Sequence, residues 1–243
     1  MFHVLESQQF SEEKLNKLFM SADRLRKKPQ DCLRGKILAS LFYEPSTRTR
    51  WSFESAMIRL GGNILSTENA KEFSSAAKGE SLEDSIRVIS PYADCIVLRH
   101  DIEGSAVKAA DVSKVPIING GDGKGQHPTQ ALLDVYTIYR EFNRLDNLKI
   151  AMVGDLANGR TVRSLCYLLG KFNGSNEIVF IAPKNVRMKD DIKTYLDRKA
   201  VRYSEEKNLD NILPSMDVIY MTRIQKERMS RKDYKKAKGR YSI

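Results

Sequence analysis

The sequence predicts an α/β protein of two doubly wound parallel-sheet domains, and three observations carry that prediction. Short apolar runs alternate with amphipathic helical stretches along 243 residues, the pattern of parallel strands joined by helical crossovers. Apolar residues make up 41% and charged residues 30%, enough to fill a core and solvate a surface. The strand–helix alternation also restarts after a long helical stretch at 127–142, which divides the chain into domains 1–142 and 143–243.

The elements follow in order. Leu15, Leu18, Phe19, Ala22 and Leu25 recur at helical spacing after Ser11, so 11–27 is a helix with a serine cap. The apolar run GKILASLF (35–42) is a buried strand. A helix from about Thr47 to Leu60 stops at Gly61-Gly62. NILS is a short strand, and SLEDSIRVISPY is a helix ended by Pro91. DCIVLRH (94–100) and VPIING (115–120) are strands, and HPTQALLDVYTIYREF (127–142) is a long helix. The second half gives a strand at 147–155, a helix at 159–172, a strand at 177–183, the helix KDDIKTYLDRKA and a strand at 217–223.

Charge and cysteine usage narrow the functions. Lys and Arg number 41 against 31 Asp and Glu, a net charge of +10, which suits an anionic partner. Three scattered cysteines without a CxxC argue against a disulfide framework or thiolate zinc site and for a reducing cytoplasm. The first twenty residues carry glutamates and no apolar h-region, unlike a signal peptide. No apolar run approaches the length of a membrane span.

In parallel α/β sheets, ligands bind beyond the carboxyl ends of the strands. Residues placed there include Ser46 to Arg50, Arg99-His100, Gln126 to Gln130, Asp155 to Arg160 and Arg223 to Gln225. The stretch STRTR (46–50) joins a strand end to a helix start. There, unpaired backbone N–H groups and the positive dipole end meet three hydroxyls and a planar guanidinium, a site suited to a phosphate dianion. A plain helix cap with solvated arginines is the competing reading. No GxxxxGK[ST] or GxGxxG occurs, so neither a P-loop nor a dinucleotide fingerprint is present.

FYEPSTRTRWSFE, AKGESLEDS, VLRH, QHPTQALLD, GDLANGRTVRSL and YMTRIQKER together resemble, in the same order, the catalytic chains of the aspartate/ornithine carbamoyltransferase family. MTRIQKER points to the branch that uses aspartate. The resemblance implies transfer of a carbamoyl group from carbamoyl phosphate to the amine of L-aspartate, releasing phosphate and N-carbamoyl-L-aspartate for pyrimidine synthesis. It implies no cofactor, no metal and no covalent intermediate. By motif match, Ser46, Thr47, Arg48 and Thr49 form the phosphate cradle. Arg99 is a second phosphate ligand that also reaches the carbonyl oxygen, where Thr49 and His127 join it. Gln130 orients the carbamoyl amide. Arg160 holds the α-carboxylate of aspartate, and Arg223 and Gln225 hold its side-chain carboxylate. Ser74 and Lys78 belong to a loop that reaches a neighbouring subunit's active site, which implies a homotrimer with shared sites. Regulatory chains are left open as partners, and neither nucleic acid nor membrane is expected.

The resemblance also sets two further expectations. Family chains continue past the point reached by GRYSI with a strand, an HPLPR-type loop and helices that fold back on the first domain. The chain is therefore expected to be a C-terminally shortened form, poorly stable alone and open to being non-catalytic. Ornithine is the rival acceptor amine, disfavoured because no acidic cluster suited to a cationic substrate follows residue 217.

Overall fold

The computed structural model describes residues 1–28, 30–73, 79–172 and 175–222. They fall into two compact units, 1–129 and 130–243. The chain passes from one to the other in the first turn of a single helix.

The first unit is built on a parallel sheet of β1 (Ile37–Phe42), β2 (Asn63–Glu68), β3 (Cys95–His100) and β4 (Ile117–Asp122). Its strand order is β2-β1-β3-β4, so the order reverses between β1 and β3. Helices α1 (Glu12–Lys27), α2 (Thr47–Arg59), α3 (Ala70–Phe73), α4 (Leu82–Ile89) and α5 (Ser105–Val112) complete it. Period-two alternation on the strands explains how both sheet faces are covered. Ala39, Leu41 and Tyr43 share one core with Ile96, Leu98, Ile86 of α4 and Ala109 of α5. The intervening Leu38 and Phe42 pack with Val97 and with Met57 of α2. Two faces covered by helices make the sheet doubly wound, as expected.

Two helix ends in this unit follow from single residues. Ser11 caps α1 by accepting the backbone N–H of Lys14 at 3.3 Å. At the far end of α2, Gly61 takes φ +85°, a left-handed conformation that lets Gly62 N–H return to Met57 O at 3.0 Å and stop the helix. A terminal segment then widens the sheet: Val4 bridges Ile118 in parallel, and its N–H donates to Ile117 O at 2.8 Å.

The second unit carries β5 (Lys149–Val153), β6 (Glu177–Ile181), β7 (Arg202–Glu206) and β8 (Val218–Met221), parallel in the order β7-β6-β5-β8. Here the reversal lies between β5 and β8. Its helices are α6 (Pro128–Phe142), which begins in the first unit, α7 (Arg160–Leu169) and α8 (Asp190–Arg198). Ala151, Val153, Val179 and Ile181 face one core with Leu209. The alternate residues Ile150, Met152, Ile178 and Phe180 are buried on the other face.

The sequence reading missed α3, α5 and β7, drew several ends one to three residues wide, and ended β2 and β4 two residues early. The helix expected to end at Pro91 ends at Ile89, and residues 90–92 form a 3-10 turn with Pro91 inside it.

Candidate anion-binding site

The two order reversals locate the chemistry. At such a reversal the loops leaving adjacent strands diverge to opposite faces and open a crevice at the strands' carboxyl ends. In the first unit those strands are β1 and β3, followed by residues 43–46 and by the turn after His100. Tyr43 N–H donates to Arg99 O at 2.8 Å, tying the two strand ends together.

Ser46 is the N-cap of α2 by position, but its side chain makes no capping hydrogen bond. This departs from the plain-cap reading: α2 begins without hydroxyl capping, and its dipole and leading amides are the local attraction for an anion. The two arginines of STRTR have different fates. Arg48 is exposed and makes no ion pair among the described residues. Arg50 turns back to the protein, with Nη2 at 2.9 Å from Glu68 of β2 and Nε at 3.9 Å from Glu54 one helical turn on. Thr47 is exposed and Thr49 half-buried, and Thr49 O accepts the Ser52 hydroxyl at 2.7 Å.

Arg99 is buried at the end of β3. Its Nη1 donates to Gly120 O at 3.2 Å, and its Nη2 lies 2.8 Å from a carboxylate oxygen of Glu44. The strand register slips between Leu98 and His100 against β4, so Arg99 sits at an irregularity that re-aims its side chain. The neighbouring His100 stacks at 4.7 Å on Tyr43 and contacts Asp101. Burial raises the Tyr43 phenol above its ordinary range, with Ser85 opposing and Glu80 adding to the rise.

His127 is buried, with Nδ1 3.3 Å from the Thr129 hydroxyl. The loop before it is braced by Asp122. That carboxylate accepts the Gln126 N–H at 3.0 Å, the Gly104 N–H at 3.0 Å and the Asn119 amide at 3.3 Å. Gln126 in turn accepts Ser7 N–H at 2.9 Å and donates to Gln8 at 2.7 Å.

In the second unit, Gly154 follows β5 at φ +115°, and a Cβ there would stand 2.2 Å from Thr222 O beyond β8. Only glycine allows the two strand ends to approach so closely. Asp155 then accepts Asn158 N–H at 3.0 Å and its side-chain amide at 3.1 Å. That turn delivers Arg160, buried, to the first position of α7. In α6, Gln130 donates from Nε2 to Asp134 at 2.9 Å, and the other Asp134 oxygen accepts the Tyr220 hydroxyl at 2.8 Å. Burial pushes the Asp134 carboxyl and the Tyr220 phenol above their ordinary ranges.

The structure thus brings Ser46, Thr47, Arg48, Thr49 and Arg99 to the β1–β3 reversal. Arg160 stands at the β5–β8 reversal. Ser74, Lys78, Arg223 and Gln225 lie outside the described residues. Glu44, Asp134 and Tyr220 were missed by sequence reasoning. Glu44 was detectable as an acid two residues before the hydroxyl–arginine run, with Pro45 between them. Asp134 and Tyr220 are 86 residues apart, and neither lies in a pattern that points to the other. Among the described residues, no group of three His, Cys, Asp or Glu side chains could hold a metal ion, and no helix is long and apolar enough to cross a membrane.

These features define a two-unit α/β protein with cationic, hydroxyl-bearing loops at the carboxyl ends of its strands. The chain belongs to the aspartate/ornithine carbamoyltransferase family: residues 3–140 match that family's carbamoyl-phosphate-binding domain and residues 146–243 its aspartate/ornithine-binding domain. It is 54% identical to aspartate carbamoyltransferase 1, chloroplastic, of Pisum sativum, over 99% of this chain and 64% of the pea protein. The chain therefore spans just under two thirds of the length of that relative. The solved catalytic subunit of Methanocaldococcus jannaschii aspartate transcarbamoylase superposes with a TM-score of 0.91 at 50% identity, covering all of this chain and 81% of the other. The Trypanosoma cruzi aspartate transcarbamoylase solved in complex with carbamoyl phosphate gives 0.89 at 38% identity, over 97% of this chain and 75% of that one.

Proposed function

We propose that this chain transfers the carbamoyl group of carbamoyl phosphate to the amine of L-aspartate, yielding N-carbamoyl-L-aspartate and phosphate for de novo pyrimidine synthesis. Residues 1–142 bind carbamoyl phosphate in this reading, and 143–243 bind aspartate. One observation carries it: the serine–threonine–arginine run opens α2 without a side-chain cap, just after β1, whose neighbour β3 carries Arg99 near its carboxyl end. Family membership and the carbamoyl phosphate complex of the trypanosomal relative support the substrate.

The aspartate amine attacks the carbonyl carbon, the C–N bond forms and the C–O bond to phosphate breaks. The amine proton passes to the departing phosphate, so no dedicated protein base is required. Ser46, Thr47, Arg48 and Thr49 hold the phosphate, and Arg48 meets the charge that gathers on it. Thr49, Arg99 and His127 donate to the carbonyl oxygen as it becomes an oxyanion. Losing one such donor typically raises the barrier by about 3 kcal/mol. A bound dianion also draws Arg99 from Glu44, which exchanges one anionic partner for another at little cost. Gln130 orients the carbamoyl amide. Arg160 takes the α-carboxylate of aspartate by two-point contact.

Motif match alone places Ser74 on phosphate, Lys78 on both substrates, and Arg223 and Gln225 on the side-chain carboxylate. The same match supports a homotrimer with sites shared between subunits. The scattered cysteines support action in a reducing compartment such as the cytoplasm, whereas the pea relative is chloroplastic by name.

Calorimetry with a bisubstrate mimic bearing a phosphonate and two carboxylates tests the proposal. The wild-type chain is expected to bind it, and Arg48→Ala to lose at least about a hundredfold in affinity, as for a charged contact to a dianion. No binding by the folded wild type, or unchanged affinity in Arg48→Ala, overturns it.

A further inference from the structure

Resting on that reading, we propose that Asp134 and Tyr220 form a positioning pair that fixes which end of the Gln130 amide meets the substrate, and so selects a carbamoyl group over an acyl group of the same shape. A primary amide has a donor end and an acceptor end that differ little in size, and torsion about its last bond exchanges them. A carbamoyl NH2 must be met by an acceptor. Gln130 can read it only if its carbonyl oxygen is presented and its NH2 is held elsewhere.

The geometry of the second unit supplies that hold. Gln130 and Asp134 are four residues apart on α6, on the same helix face. Gln130 Nε2 donates to Asp134 Oδ1 at 2.9 Å. An ionised carboxylate accepts only, so the nitrogen end of the amide must face it, and Oε1 is left for a ligand. The other oxygen, Oδ2, accepts the Tyr220 hydroxyl at 2.8 Å. Tyr220 lies on β8, in register with Met152 of the central strand β5. It anchors the carboxylate to the sheet and stops it rotating away from Gln130. With both oxygens engaged by donors, the flipped amide would set carbonyl against carboxylate, which is repulsive.

The pair acts through Gln130 and does not touch substrate, so its signature is selectivity and not general loss of binding. Acetyl phosphate is the discriminating probe: it keeps the phosphate and carbonyl of carbamoyl phosphate and replaces NH2 by a methyl group. Affinities of the full chain for both ligands are measured by calorimetry, alongside thermal unfolding, for wild type, Asp134→Asn and Tyr220→Phe. Wild type is expected to prefer carbamoyl phosphate. In Asp134→Asn the new amide offers either end to Gln130, and the preference is expected to fall about fivefold to tenfold, through weaker carbamoyl phosphate binding with acetyl phosphate unchanged. Tyr220→Phe keeps the Gln130–Asp134 bond and is expected to move the same ratio less. If Asp134→Asn does not fold, a Tyr220→Phe ratio equal to wild type overturns the inference.

A wild type that binds both ligands equally overturns it, as does a folded Asp134→Asn that keeps the preference or loses both ligands alike. A folded wild type that binds neither ligand removes the carbamoyl-transfer reading itself. That outcome is distinct from retained selectivity in the variant, which removes only the role of the pair.

Discussion

Arg163 and Asp191 form a two-point hydrogen-bonded ion pair in the second unit. Arg163 projects from α7 to Asp191 in the first turn of α8, where its Nη1 donates to Oδ1 at 3.1 Å and its Nη2 to Oδ2. The Arg163 hydrogen bonds hold the Asp191 carboxyl below its ordinary range, with a smaller opposing effect of partial burial. A carboxyl depressed in the folded state adds stability above its unfolded pKa, and that stability fades as pH falls through the lower folded value. Asp191 is about half exposed, at 51% of its side chain, so solvent screening keeps the contribution within about 1 kcal/mol. Asp191→Asn is therefore expected to be less stable than wild type at neutral pH, by up to that amount. The two proteins should converge at the acid end of a pH series of urea unfolding curves. A gap that persisted undiminished into strong acid would assign the loss to something other than this charge.

At the scale of elements, α2 shows how one motif serves two purposes. Its first arginine is left to solvent, while Arg50 binds the helix to β2 through Glu68 and to its own next turn through Glu54. The Arg50 and Glu54 side chains are only 16% and 13% exposed, so removing the cation strands a carboxylate in a poorly solvated place. Arg50→Ala should lower stability by about 1–3 kcal/mol in denaturant titration, whereas Arg48→Ala should leave stability within about 0.5 kcal/mol of wild type. Equal stability losses in the two variants would refute this division. The motif match set Arg48 apart for phosphate but gave Arg50 no role, because its partner Glu68 lies on a different element. The same physics separates what was legible from what was not. Strands such as β1, β3 and β5, buried on both faces, announce themselves as continuous apolar runs. By contrast β7 is a mostly exposed edge strand, RYSEE, with no apolar run to mark it. Helix α5 begins from Gly104 in a left-handed conformation and lacks a hydroxyl or carboxylate cap. Candidate site residues stood out where motif residues cluster at strand ends, whereas the pairings Gln130–Asp134–Tyr220 and Arg99–Glu44 depend on how separate elements pack.

For the whole molecule, the decisive feature is that among the described residues each unit has its own four-stranded sheet and its own core. The proposed phosphate ligands at the β1–β3 reversal, from Ser46 to Thr49 together with Arg99, belong to the first unit. A ligand that binds only folded protein stabilises the cooperative unit that carries its site by RT ln(1 + [L]/Kd), about 2.7 kcal/mol at a hundredfold excess over Kd. For a unit of this size that corresponds to roughly 10 °C in melting temperature. Calorimetric unfolding of the full chain should accordingly resolve two transitions. Inorganic phosphate should raise the one that hydrogen exchange assigns to residues 1–129, and leave the one assigned to β5–β8 where it was. A single transition would mean that the two cores unfold as one cooperative body. A phosphate-induced shift confined to the second unit would move the anion site away from α2 and Arg99, and with it the basis for reading the first unit as the carbamoyl phosphate domain. The helix that joins the units makes the measurement sharper. Only its first two residues belong to the first unit, and Pro128 has no amide N–H, so its amides from Gln130 onward should follow the second transition.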